Sequence, residues 1–367
     1  MTQHDTVLAK LRDYYLGPMR FMNMLSCFEL GLIDALKNGP SAGKTSGQLA
    51  AETGISVNSV QQMLLLLVKD DLVSFDEKSD QYALHGLAAL TDQDLVRVMP
   101  WMETVKHVCL RQLYYLSESI RTERVVGLKE FYDFDGNFYE ASTRYPELQE
   151  SWGALMDQIT ASADPWFYSN LEVPHGSKIL DVAGNTGLGA ILAFQHNRDK
   201  GVHVTCFDLP EKKRMAEKNF RESGLVDHCS FIAGDALQEI PKGFDVIMIK
   251  HFLPMFDMDN VLKIMNFVHD ALEFGGKFYI LEPIYPEDLK QSSSVDFFPA
   301  YFLGCTMAQG GMQRISTYRH WLESCGFEVT KVITRDPSDM SPDSVLTHGI
   351  LCATKKTPGR GTAGVRS

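Results

Sequence analysis

The segment Lys178-Ile-Leu-Asp-Val-Ala-Gly-Asn-Thr-Gly-Leu-Gly189 limits what this chain can fold into more than any other stretch. Ile179, Leu180 and Val182 form a short apolar run after the turn signal Pro174-His175-Gly176, the pattern of a buried strand in a parallel sheet. Gly184, Gly187 and Gly189 follow, allowing a tight turn and a close backbone approach to a ligand. Ala190 to Phe194 continue as a helix whose free N–H groups point back at that turn. Alone, this is a generic strand–turn–helix unit, and the rest of the chain must narrow it.

From Ile179 onward, apolar runs and helical stretches alternate. Strands are predicted at Ile179–Val182, His203–Phe207, Cys229–Ala233, Val246–Ile249 and Lys277–Leu281, with helices between them led by Glu211–Ser223 and Asn260–Leu272. That rhythm is the signature of an α/β fold, a doubly wound, mostly parallel sheet covered by helices on both faces. Phe327–Ile333 and Gly349–Ala353 lie close enough in sequence to pair as an antiparallel hairpin at a sheet edge. The Gly-, Pro- and Lys-rich tail, residues 357–367, is expected to be disordered.

The first half of the chain reads differently. Leu8, Leu11, Tyr15, Met19, Phe21, Met22 and Leu25 recur at helical spacing over Val7–Leu36, giving two amphipathic helices whose Met- and aromatic-rich face suits a subunit interface. Thr45-Ser46-Gly47-Gln48 caps a short helix, Ser56 starts a second, and Leu72–Phe75 with Gln81–Leu84 make a hairpin, the winged-helix layout. DNA binding does not follow from that layout. The would-be recognition helix offers Asn58, Ser59, Gln61 and Gln62 but no Arg or Lys, and phosphate contacts dominate such affinity. A net charge of −12 opposes nucleic acid and anionic membrane alike. The 7 cysteines are scattered and never form C-x-x-C, which points to reduced thiols. No secretory pattern opens the chain and no apolar run reaches membrane-spanning length, so a soluble, cytoplasmic protein is expected.

Ligands of open α/β sheets bind beyond the carboxyl ends of the strands. Those ends carry the Gly184–Gly189 loop, then Asp208-Leu209, then Gly234-Asp235-Ala236, then Lys250-His251. Asp208 falls where a ribose diol is usually gripped, unless it only caps the helix near Glu211. Asp235 suits an exocyclic amine. The leading glycine of the dinucleotide fingerprint is missing, and Asp181 stands just before the turn, where a carboxylate would repel pyrophosphate and suit a cationic ligand such as S-adenosylmethionine.

Leu180-Asp-Val-Ala-Gly-Asn-Thr-Gly187 resembles motif I of the class I S-adenosylmethionine-dependent methyltransferases. Phe207-Asp-Leu-Pro210, Gly234-Asp235, Leu272-Glu-Phe-Gly-Gly-Lys277, Glu282, Gly310-Gly311-Met-Gln-Arg314 and Trp321 with Gly326-Phe327 follow at the spacing of the small-molecule members typified by caffeate and acetylserotonin O-methyltransferases. The resemblance implies a Rossmann-like sheet domain with an N-terminal helical, winged-helix dimerisation domain. The corresponding division is residues 1–110 for dimerisation, 111–170 for linker and pocket helices, 171–356 for catalysis and 357–367 for the tail. It also implies S-adenosylmethionine held by Asp181, Gly184, Asp208, Leu209, Asp235, Ala236 and Lys250, and a pocket lined by Trp152 and Met156. Phe298 and Tyr301 are added as aromatic pocket candidates, and a homodimer is implied.

Two departures matter. O-Methylating members deprotonate the acceptor with a histidine after the fourth strand, and aligning Lys250 puts Pro254 there, which has no proton-accepting side chain. The first supporting glutamate survives as Glu282, whereas the second is replaced by Gln313. An acceptor needing no strong base, an activated carbon, or a hydroxyl served by a relocated base all fit. Carbon methylation of an aromatic, keto- or amino-acid-like metabolite is favoured, with His251 and Glu282 as acid/base candidates and no metal assigned. A winged-helix regulator sensing S-adenosylmethionine is the alternative from a different class.

Overall fold

The computed structural model describes residues 2–41, 43–286, 288–289, 292–335 and 340–355, so the tail expectation for 357–367 lies outside the described residues. The chain divides into two compact units, Met1–Met102 and Glu103 onward. The boundary thus falls before residue 110, and the helices of 111–170 belong to the same unit as the sheet.

The first unit contains α1 (Gln3–Glu29), α2 (Leu32–Lys37), α3 (Ser46–Thr53) and α4 (Val57–Lys69), with β1 (Lys44–Thr45), β2 (Val73–Asp76) and β3 (Gln81–Leu84). Its local signals act as written. Thr2 with Asp5 and Thr45 with Gln48 form capping boxes, Ser56 caps α4, and Gly54 ends α3 in the left-handed region. β2 and β3 pair as the hairpin, and β1 adds to β3 antiparallel, completing the wing. Leu49, Val60, Leu64, Leu67, Val73 and Tyr82 close the core. The outward side of α1 leaves Val7, Leu8, Leu11, Tyr14, Tyr15 and Met19 at least half exposed.

α5 (Asp92–Thr104) and a π-turn at Val105–Cys109 lead into the second unit. There α6 (Leu110–Tyr114), α7 (Leu116–Thr122), α8 (Val126–Tyr132) and α9 (Phe138–Ser142) precede the long α10 (Pro146–Ser169). The sheet elements are β4 (Lys178–Val182), β5 (His203–Asp208), β6 (Cys229–Ala233), β7 (Phe244–Lys250), β8 (Leu272–Pro283), β9 (Phe327–Thr334) and β10 (His348–Lys355). They stand in the order β6-β5-β4-β7-β8-β10-β9, parallel except for β10, which runs antiparallel to both β8 and β9. The expected edge hairpin is present, and its second strand is the one inserted against the parallel sheet. α11 (Leu188–His196), α12 (Lys213–Glu222), α13 (Met258–Ala271), α14 (Ser294–Thr306) and α15 (Ile315–Ser324) complete the unit.

Alternation along each strand sorts the side chains between two cores. Leu180, Val182, Ile247 and Ile249 face α13 and α15. Ile179, Val246 and Met248 face α10 and α11. The chain order reverses between β4 and β7, and in such sheets the crevice at the strand carboxyl ends is the binding position. All 7 cysteines are buried and unpaired. Ile247→Ala, at a fully buried position of a central strand, should cost about 2–5 kcal/mol in denaturant unfolding without changing the cofactor site directly.

Candidate functional site

The parity of β4 and β7 sets the floor of the site. Asp181 follows Ile179 by two residues and Lys250 follows Met248 by two, so both polar side chains turn toward the α10–α11 face. They meet as an ion pair, Nζ to Oδ1 at 2.8 Å, with Asp181 1% exposed and the Lys250 side chain 7% exposed. α10 adds Asp164, which lies in its buried stripe beside Ala163, Phe167 and Tyr168, with Oδ2 at 3.6 Å from the same ammonium. Lys250 also donates to the Tyr168 hydroxyl at 3.2 Å, which in turn donates to the Gly189 carbonyl at 2.7 Å. Burial pushes the Asp164 carboxyl up to about 6, against the opposing pull of Lys250. Burial would lower Lys250, but Asp181 and Asp164 outweigh it and hold the ammonium above its ordinary value.

This cluster revises two expectations. Asp181 does not line the cavity, because its carboxylate lies beneath the floor and is committed to Lys250. A Cβ at Gly189 would collide with the Lys250 ammonium and the Asp181 carboxylate, and one at Gly184 would meet Cys206 Sγ and Asp181. These glycines are therefore required by what lies under the loop. The turn itself is made by Gly187 at φ +78, and by Ala183 and Asn185 at φ +58 and +49, conformations uncommon outside glycine. Asp208 does not cap a helix. Its two oxygens accept from the Asn185 N–H and the Leu209 N–H, each at 2.7 Å, and so tie the β5 end to the glycine-rich loop. Thr186 donates to Asp157 on α10 at 3.0 Å, fixing the loop from the other side.

Above the floor lies a cavity of about 490 Å³. Gly184, Asp208, Leu209, Asp235, Ala236, Lys250 and His251 all line it, so the candidates from four consecutive strand ends come together. Trp152 and Met156 line it from α10, joined by Tyr139 from α9, whose ring crosses that of Trp152 with centroids 5.7 Å apart. Phe298 and Tyr301 do not line it. They are buried in α14, with the Tyr301 hydroxyl 3.5 Å from that of Tyr139, so they back the wall.

At the β7 end, Pro254 is buried in a short 3-10 turn, its carbonyl accepting from the Gly311 N–H, and it does not line the cavity. His251 does line it, at φ +53, with Nε2 2.9 Å from Nε2 of His348 at the start of β10. Burial first, then His348 and Lys250, hold His251 well below the usual histidine range. Asp257 N-caps α13 by accepting from the Asn260 N–H at 2.9 Å. Glu282 is fully buried and lies outside the cavity, so it cannot exchange a proton with a substrate there. It accepts from the Phe252 and Leu253 N–H groups at 3.0 Å each and holds the turn after His251. Asp164, Tyr168, Tyr139 and His348 escaped the sequence reading. The first two had a visible signal, polar residues on the apolar stripe of a helix.

A family model described as an O-methyltransferase domain matches residues 114–328. The chain is 24% identical over 341 residues to an L-tyrosine C(3)-methyltransferase of Streptomyces lavendulae, covering 92% of this chain and 90% of that one. It is 24% identical over 314 residues to a mitomycin biosynthesis 6-O-methyltransferase of the same organism, covering 83% and 84%. Among solved structures, a mitomycin 7-O-methyltransferase superposes with a TM-score of 0.80 at 20% identity, over 96% of this chain and 99% of that one. Human N-acetylserotonin methyltransferase in complex with S-adenosylmethionine superposes with a TM-score of 0.76 at 16% identity, over 97% and 99%.

Burial pushes the Glu282 carboxyl up to about 8, against its two backbone hydrogen bonds. A folded value above the unfolded one means that its stabilisation is complete below about 4.5 and is lost as pH rises through about 8. Glu282→Gln keeps an oxygen for both N–H groups and cannot ionise. It should match the native protein near pH 5 and be more stable at pH 9, by up to about 5 kcal/mol, in thermal unfolding followed across that range.

Proposed function

The chain belongs to the O-methyltransferase domain family, and from that premise we propose that it is an S-adenosylmethionine-dependent enzyme that methylates carbon in a small phenolic or keto/amino-acid-like metabolite. The observation that carries the carbon assignment is the pairing of Pro254 with His251. The position of the family's base holds a buried proline, and the imidazole that lines the cavity stands three residues earlier. The relation to an L-tyrosine C(3)-methyltransferase supports the same reading.

The residues fit a cationic methyl donor. The buried cluster holds two carboxylates against one ammonium, and Asp181 Oδ2 and both Asp164 oxygens have no hydrogen-bond partner. In this reading Asp208 grips the ribose with the lone pairs left after its two backbone bonds, while Asp235 and Ala236 receive the adenine. When bound, S-adenosylmethionine supplies an electrophilic methyl that passes to the acceptor by in-line displacement. Trp152, Met156 and Tyr139 orient the acceptor and exclude water, so proximity supplies much of the rate. His251, neutral at pH 7, takes the proton that activates the acceptor or leaves its methylated carbon. Glu282 positions the turn behind it.

Methylation on oxygen is the second reading, favoured by the relation to the mitomycin 6-O-methyltransferase. Self-association through the exposed apolar side of α1 is part of the proposal, because six large side chains there are left uncovered. No helix among the described residues is long and apolar enough to cross a membrane.

Incubation with S-adenosylmethionine and a metabolite extract, followed by tandem mass spectrometry, should give products whose methyl survives as a C–CH3 fragment. Products carrying only O-methyl would overturn the carbon assignment. Asp208→Ala should lose S-adenosylmethionine binding in calorimetry, whereas His251→Ala should bind it normally and lose roughly 100-fold or more in kcat. Unchanged affinity in the first variant would remove the ribose assignment.

A further inference from the structure

His348 has no part in the function proposed above, yet its surroundings are specific. It opens β10 opposite Pro283, one position beyond Glu282, and is 5% exposed. Its ring crosses that of His251 at 77° with centroids 5.0 Å apart, and the two Nε2 atoms are 2.9 Å from each other. Among the described residues, the charged or titratable groups around the pair are Lys250 on β7, Glu282 on β8 and Arg335 just after β9. Burial and Arg335 hold His348 down to about 3, and His251 is also held low, so both rings are neutral at pH 7. A hydrogen bond joining two neutral imidazoles through their Nε2 atoms requires one ring to carry its hydrogen on Nε2 and the other on Nδ1. Only two arrangements exist, and they differ in what His251 can do.

We propose that His348 is a positioning residue that accepts the Nε2–H of His251 and so leaves Nδ1 of His251 as the lone pair that takes the acceptor's proton. This rests on the base role given to His251 above. In the reverse arrangement the hydrogen would sit on His251 Nδ1, and the cavity-lining ring would have no lone pair to offer. Once Nδ1 takes the proton, the resulting imidazolium donates Nε2–H to neutral His348 in a charge-assisted bond, about twice as strong as the neutral one. The proton stays on His251, and His348 only steadies it. A neutral partner also leaves the base unprotonated under mildly acidic conditions, where a carboxylate partner would raise its pKa. The strained backbone of His251 fits this role. Its main-chain N–H donates to Leu281 O on β8 at 3.0 Å while φ is held at +53, which fixes the backbone from which the ring projects.

Long-range proton–nitrogen NMR of histidine-labelled native protein reads the tautomers directly. We expect a protonated Nε2 and an unprotonated Nδ1 on His251, and the reverse pattern would overturn the proposal. In kinetics, His348→Ala should lower kcat about 10- to 100-fold with unchanged calorimetric affinity for S-adenosylmethionine. It should also shift the acid limb of the pH–kcat profile downward, because the imidazolium loses the acceptor that steadies it. His348→Gln, which restores an acceptor, should recover most of kcat. A His348→Ala enzyme with native kcat and pH profile would refute the positioning role. Full activity in His251→Ala would instead remove the base assignment on which it rests. If His348→Ala does not fold, the native tautomer decides.

Discussion

The Lys250 ammonium, held between Asp181 and Asp164, is the interaction on which the rest of the site depends. Removing three charges from water costs several kcal/mol for each ion, and two carboxylates against one ammonium cannot offset that through pairing alone. The cluster is linked to the floor through Tyr168 and the Gly189 carbonyl, so its position dictates where the first turn of α11 sits. It dictates composition as well, because no side chain fits at Gly189 or Gly184 above it. An excess buried carboxylate is a poor way to stabilise a fold. Under the proposed function it readies the cavity for a cationic methyl donor before one arrives.

Other local costs concentrate around the same cavity. Ala183, Asn185 and His251 adopt left-handed backbone conformations without being glycine, and Glu282 is buried with one oxygen unpartnered. Each costs on the order of 1–3 kcal/mol, and each sits where a strand end meets the cavity or directly behind it. The sheet absorbs these costs because its two cores are continuous above and below β4 and β7. Strain in a loop is tolerated when the strand leading into it is almost wholly buried.

Much of this was legible in the chain. Short, mainly apolar runs announce the central strands of the main sheet, since strands covered on both faces need no polar alternation, whereas the edge strand β9 alternates. Asp208, Asp235, Lys250 and His251 could be collected because topology fixes which end of a parallel strand faces the crevice. Proximity to the turn does not put Asp181 in the cavity, because strand parity decides the side to which it points. It shares a face with Ile179, and that face belongs to α10 and α11. His348 was invisible for a different reason. Its meeting with His251 depends on β10 entering the sheet antiparallel beside β8, a pairing of residues 97 apart that no local pattern encodes. Phe298 and Tyr301 show the limit of composition, for an aromatic run on α14 reads the same whether it faces a cavity or backs its wall.

The central claim is that Lys250 is placed by two buried carboxylates acting together, and a double-mutant cycle on folding stability tests it most directly. Lys250→Met in the native background should cost about 3–5 kcal/mol, because it strands Asp181 and Asp164 without a cation. In an Asp164→Asn, Asp181→Asn background the same substitution should cost little, giving a large interaction energy. An equal cost in both backgrounds would contradict the account.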